Sequence, residues 1–394
     1  MSHLTSTIPA ASAVAECFAR AFAGSPARVF FAPGRVNLVG AHLDYNGGPV
    51  LPVAVDRGVY VAARLRDDSS VALRSLDVEP PLDIELAELG TSRDAAHEWA
   101  SYPLGVLRFF AEKTGISSGV EMVFTGDLPI ASGLSSSAAM EIATAFALNE
   151  LHGAGLAPDD LAMIGFRAET EYVGLKCGIM DQFASAVSRP GHVLLLDCSN
   201  ATYEHVPLDG DAVEILVMDT GVPRALGETN FNRRVEECQE AYRLLRELKE
   251  RKCLAHFKPD DLELAGDRLN GSQRKRAEHV VTEVTRVASA VASLRSGDIA
   301  ALGRELNASH QSTRDLYEVS SLELDVITDA ARELDDVYGA RLTGAGFGGC
   351  AIALIRPGTS EHVQSHVRQR YTEKFGKAPG FHLLRDGPGP CEIV

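Results

Sequence analysis

No run in the 394 residues approaches the ~18 consecutive apolar residues that a bilayer-spanning helix needs, which excludes a helical membrane protein. Cysteine is sparse: the seven, at positions 17, 177, 198, 238, 253, 350 and 391, include no CxxC pair and no spacing suited to zinc. An odd, dispersed set of this kind suits reduced thiols, not a disulfide framework. Positive charge is in deficit, with 38 Lys and Arg against 54 Asp and Glu and a formal net charge of −16. No basic patch interrupts that deficit, so a nucleic-acid partner is not expected. An anionic ligand would have to be met by local charge, backbone dipoles or a metal ion. Repeats, low-complexity tracts and Pro/Ser-rich linkers are missing, so any domain boundary is compact. The start lacks a signal-peptide pattern: Ala10 to Ala23 is broken by Glu16 and Arg20 and reads as an amphipathic helix. A cytoplasmic protein with no membrane partner is the expectation.

What is present is a globular composition, 45% hydrophobic and 23% charged, at a length suited to two domains or one large unit. ARVFFAPGRVNLVG reads as a strand entering a glycine turn, and RGVYVAARLRDD with SSVALRSLD alternates like a β-hairpin. GVEMVFTGDLP, HVLLLD and VEILVMDTG read as further strands, and Ser135 to His152 as an Ala-rich helix closed by Gly153. After residue 225 long amphipathic helices take over: NRRVEECQEAYRLLRELKERK, RKRAEHVVTEVTRVASAVASL, LELDVITDAARELD and EHVQSHVRQRYTEKF. The class is therefore α+β, divided into residues 1–205, rich in strands, and 206–394, rich in helices.

Two glycine loops carry the chemistry. In GDLPIASGLSSSAAM, Gly126 to Met140, a strand ends, Gly133 relaxes the turn and Ser135, Ser136 and Ser137 open a helix. The free N–H groups and dipole of a helix N-terminus form an anion site, and serines there either cap the helix or turn toward a metal. GLSS alone is equally a capped helix after a glycine turn. GxxxxGK[ST] is absent, as are the protein-kinase HRD and DFG motifs, so nucleotide binding would need another architecture. The second loop, LTGAGFGGCAIAL, formally matches GxGxxG, but the apolar run Cys350 to Ile355 follows it where a dinucleotide loop requires a helix. A hairpin that closely approaches a ligand or another loop fits better. The single tryptophan, Trp99, reads as a packing anchor.

With these motifs in view, the sequence resembles the galactokinase family. PGRVNLVGAHLDYNGG, Pro33 to Gly48, is similar to the signature GRxNLIGEHxDYxGG. The serine loop and LTGAGFGGCAIAL resemble the second and third motifs of the wider group of galactokinase, homoserine kinase, mevalonate kinase and phosphomevalonate kinase. EYVGLKCGIMDQFAS, Glu171 to Ser185, looks like the stretch that carries the catalytic aspartate of galactokinases. The resemblance implies an N-terminal domain like domain 2 of ribosomal protein S5, a ferredoxin-like C-terminal domain and a site between them. It further implies an ATP-dependent sugar 1-kinase using Mg²⁺, with Asp181 as base and Arg35 beside it. Ser136 and Glu169 would be the metal ligands, and Gly133, Leu134, Ser135, Ser136, Ser137, Gly344 and Gly346 would meet ATP. His42, Asp44 and Gly178 would hold sugar hydroxyls. A guanidinium favours the ionised form of a neighbouring carboxylate, which suits a base, although an ordinary interdomain salt bridge would look the same.

Two positions depart from the family pattern, and the implied roles place both in the sugar pocket. The signature's Glu is Ala41, and ETNFNRRVEEC has Phe231 where the family has a sugar-reading Tyr. A buried Glu facing C6 would repel a carboxylated sugar, and Ala41 removes that repulsion, leaving His42, which can be cationic, at C6. D-galacturonate is therefore expected ahead of D-galactose, with a sugar lacking the 6-hydroxyl, such as L-arabinose, third. Plant galacturonate kinases resemble galactokinases and share Ala in a GAHxD motif. A silent sugar and ATP sensor is the alternative from another class, but the serine loop is uninterrupted.

Overall fold

The computed structural model describes residues 8–23, 27–90, 95–116, 118–129, 133–222 and 227–393. Strand Pro52–Leu65 is buried on both faces over most of its length, so it reads as a near-continuous apolar run. It sits inside a six-stranded sheet ordered Cys391–Ile393, Arg28–Asn37, Pro52–Leu65, Val120–Gly126, Ser70–Ser75 and Leu82–Glu85. One face is covered by helix Ile8–Ala21, whose Val14 and Phe18 pack on Phe31, Tyr60 and Val123. The other face is covered by helix Ser136–His152, a run of Ala138, Ala139, Ile142, Ala143 and Ala147. Small side chains there let the helix axis lie close to the sheet.

The expected hairpin does not form. Pro52–Leu65 pairs antiparallel with Val120–Gly126, and Ser70–Ser75 pairs parallel with that same strand from its other side. Alternation fixes which face a residue occupies, but not which strand is its neighbour.

A three-stranded sheet, Pro49–Val50, His192–Asp197 and Thr202–Pro207, leads to a four-stranded antiparallel sheet in the second half. Its order is Val337–Leu342, Cys350–Ile355, Glu214–Asp219 and Gly380–Leu384. Cys350–Ile355 is wholly buried and follows the glycine loop directly, with no helix between. Helices Ile299–Asp315, Leu322–Arg332 and Ser360–Phe375 accompany this sheet. Helix Gly271–Ser296 packs on Gly227–Leu248 and reaches strands Pro49–Val50 and Thr202–Pro207. The chain passes between the two halves from Pro207 to Glu214, and Cys391–Ile393 returns to pair with Val29–Phe31. A division near 205 is kept as a proposal, with the final strand assigned back to the first unit. None of the described helices is long and apolar enough to cross a membrane.

Candidate active site

Strand Arg28–Asn37 carries a register shift between Pro33 and Arg35 against Pro52–Leu65. Glycine is required in that irregularity, because a Cβ on Gly34 would meet the Leu134 carbonyl at 2.6 Å. The close approach lets the Arg35 amide donate to Leu134 O at 3.0 Å, tying strand to serine loop. The Arg35 side chain, 5% exposed, donates Nε and Nη2 to the two Asp181 oxygens at 2.8 and 2.7 Å and Nη1 to Gly133 O at 2.7 Å. A two-pronged pair of this kind fixes the carboxylate plane as well as its place. Asp181 stands in the first turn of helix Met180–Val187.

The serine loop differs in detail from expectation. Ser135 adopts φ 62°, makes no capping bond and donates its hydroxyl to Asp181 Oδ2 at 2.5 Å. Ser136 opens the helix with its side chain exposed. Ser137, not Ser136, reaches Glu169, donating to Oε1 at 3.1 Å. Glu169 Oε2 accepts from Gln182 Nε2 at 2.6 Å and Cys177 Sγ at 3.3 Å, and Gln182 also donates to Glu141 at 2.9 Å. Burial, with Asp181 nearby, raises the Glu169 carboxyl, and burial pushes Glu141 well above the usual carboxylate range. Among the described residues no group of three or more His, Cys, Asp or Glu side chains is arranged to hold a metal ion, so a cation here would have to be held by Glu169 and the Ser136 hydroxyl with the phosphates themselves. The helix's own first turn holds no acidic residue, although Asp181 and Glu169 approach it through Ser135 and Ser137.

Beside the Arg35–Asp181 pair opens a cavity of ≈ 640 Å³, part of it continuous with solvent. Its walls include Ala41, His42, Asp44, Phe231, Arg341, Thr343 and Gly344. Gly178 stands against Asp44, where a Cβ would meet the carboxylate at 2.5 Å, so a glycine there lets the chain pass Asp44. Burial and the neighbouring Asp181 raise the Asp44 carboxyl to about 6. His42, at φ 58°, stacks on Tyr317 at 4.5 Å and bonds Tyr45 Oη through Nδ1 at 2.8 Å. The expectation of a cationic His42 is overturned: burial, with His279 and Arg341 close by, pushes its pKa well down and keeps it neutral. Phe231 lies edge-on to Tyr45 at 5.4 Å, an apolar wall. Gly346 does not line the cavity. Its backbone passes Val319 O, which a Cβ would meet at 2.3 Å, and the Phe347 amide donates to that carbonyl at 2.7 Å.

Sequence reasoning missed Arg341, a cation in the buried strand Val337–Leu342, and Glu141, a carboxylate in an Ala-rich helix. In both cases the available signal was a charge interrupting an apolar run.

The fold and this constellation match the GHMP kinases. Residues 101–189 fit the family profile described as GHMP kinases N terminal domain and 290–373 fit GHMP kinases C terminal. Kinases of this class use ATP. Residues 16–65 fit the galactokinase galactose-binding signature. The chain is 39% identical to a galactokinase of Streptococcus thermophilus over 94% of its length and 96% of that protein. It is 38% identical to one of Thermotoga maritima over 92% of its length and 99% of that protein. A crystal structure of Lactococcus lactis galactokinase complexed with galactose superposes with a TM-score of 0.92 at 35% identity, covering 97% of this chain and 99% of that one. Methanococcus jannaschii mevalonate kinase shares the fold at a TM-score of 0.67 and 19% identity, over 92% of this chain and 99% of that one. The chain belongs to the galactokinase family and is a galactokinase-type sugar kinase.

Proposed function

We propose that the protein transfers the γ-phosphoryl group of ATP to the anomeric hydroxyl of a galactose-type sugar. The observation that carries this reading is the Arg35–Asp181 pair, lying between the serine loop and the cavity. The C1 hydroxyl would take the place on Asp181 Oδ2 that the Ser135 hydroxyl holds. As the C1 oxygen bonds to the γ-phosphorus, its proton passes to Asp181, and the bond to the β,γ-bridging oxygen breaks to leave ADP. Arg35 keeps the carboxylate in place and lies beside the growing negative charge. Gly133 to Ser137 and the helix N–H groups would hold the phosphates. Mg²⁺ on Ser136 and Glu169 would neutralise phosphate charge. Phosphoryl transfer is loose, so positioning and charge stabilisation supply most of the catalysis.

At C6 the proposed sugar is D-galacturonate ahead of D-galactose, a reading supported by the residues at 41 and 231. Ala41 and Phe231 present apolar surface in a pocket that reads hydroxyls, and no acidic side chain at 41 opposes a sugar carboxylate. D-galactose is the second reading, supported by the relatives named galactokinase and by the galactose complex of the Lactococcus lactis enzyme. The test is ADP release by purified protein with D-galacturonate, D-galactose and L-arabinose, with phosphate located on the product by NMR. Sugar-dependent ADP with phosphate on C1 is expected, and sugar binding without ADP release would favour a sensor.

A further inference from the structure

The cavity has two electrostatic sides. Asp44 responds to Asp181 and Arg35, whereas His42 responds to His279, Arg341, Glu283 and Arg234. The first set belongs to phosphoryl transfer. The second has no assigned purpose, and its centre is Arg341.

Arg341 is 2% exposed, yet it is one of the residues that line the cavity. Nε donates to Leu342 O at 2.9 Å and Nη1 to Leu38 O at 3.2 Å. Among the described residues Nη2 has no acceptor and no carboxylate lies within ion-pair distance. Burial lowers its pKa only to about 10, so it carries its charge near neutrality. Glu283 is the anion it senses, but that carboxylate is engaged by the Gly40 and Ala41 amides at 2.9 and 3.0 Å, by Ser309 and by Arg286. A buried cation without a direct counter-charge is costly. Three other cavity-wall groups, the acceptor Asn37 Oδ1 together with His42 Nε2 and Thr343 Oγ1, are buried with no partner. On the same wall Ala41 has its amide held by Glu283 and its carbonyl by His279 at 3.0 Å, so its backbone cannot swing away.

We infer that Arg341, with Thr343 and His42, forms a subsite for a carboxylate substituent on the sugar, and that Arg341 determines specificity at C6. This rests on the reading of the cavity as a sugar 1-kinase site and deepens its uronate form. A carboxylate gives the guanidinium the charge it lacks and accepts from the Thr343 hydroxyl. A hydroxymethyl group leaves the cation uncompensated. Ala41 keeps the wall open, because an acidic side chain at 41 would itself supply the missing charge.

The experiment reads the ratio of kcat/KM for D-galacturonate to that for D-galactose, in which losses of folded protein cancel. In the parent the ratio should exceed one. In Arg341→Met it should fall by ~100-fold, the scale on which a site rejects a substrate that leaves its polar groups unpaired, with the loss mainly in KM. Ala41→Glu, which keeps Arg341, should lower the ratio to a similar extent. A parent ratio above one that Arg341→Met leaves unchanged overturns the role of Arg341 and spares the uronate reading. A parent ratio far below one overturns both. If Arg341→Met yields no soluble protein, Ala41→Glu decides: an unchanged ratio overturns the subsite.

Discussion

Asp44 and Asp181 share one cavity, and their proximity together with burial lifts the Asp44 carboxyl to about 6. An ionised acceptor holds a hydroxyl more strongly than a neutral one, so KM for D-galactose should rise as pH falls from about 7 to about 5. Asp44→Asn should flatten that profile, and a flat profile in the parent would contradict the assignment. The effect on stability has the opposite sense. A carboxyl raised in the folded state contributes stability that is full below its unfolded value and lost as pH rises through about 6. Asp44→Asn should therefore raise Tm near pH 7 while weakening sugar binding. At this scale the family resemblance placed Arg35 beside Asp181, and the two are paired at 2.8 and 2.7 Å. The sequence was misleading for His42, because protonation depends on burial and neighbours that lie hundreds of positions away. It offered Ser135 to ATP but gave no sign of its hydroxyl's partner Asp181, 46 positions distant.

Helix Gly271–Ser296 clamps the signature loop from behind. Glu283, fully buried, takes the Gly40 and Ala41 amides, while His279 takes the Ala41 carbonyl. Burial alone would raise Glu283, but His279, Arg286 and Arg341 hold it down to about 2. Glu283→Ala leaves several donors unmet and should cost ~3–5 kcal/mol in urea denaturation, while raising KM for the sugar. A loss below about 1 kcal/mol, typical of a surface change, would show that the clamp is unimportant. The long helices were legible in the sequence from their 3.6-residue pattern, Gly271–Ser296 and Ser360–Phe375 within a few residues. Ile299–Asp315 was not, because its buried face includes Ser309, His310, Ser312 and Thr313, polar residues satisfied only by the fold. The strand order was also hidden, since Val120–Gly126 inserts between two strands that alternate like a hairpin.

Across the whole molecule, the active-site cavity joins contributions from both halves of the chain. Arg35, Ala41 and Asp181 come from the first and Phe231, Arg341 and Thr343 from the second. Against a net charge of −16, in the proposed reaction the phosphates of ATP are met by local means: Arg35, the helix N–H groups and a bound cation. Arg35 and the Ser135 hydroxyl both meet the Asp181 carboxylate. The most direct measurement is single-turnover phosphoryl transfer in Asp181→Asn, with sugar and ATP binding followed in parallel. The proposed role of Asp181 as base predicts that transfer falls by ~10²–10⁴, the usual worth of general-base assistance, while both ligands still bind. Transfer at the parental rate in the folded variant would contradict the account.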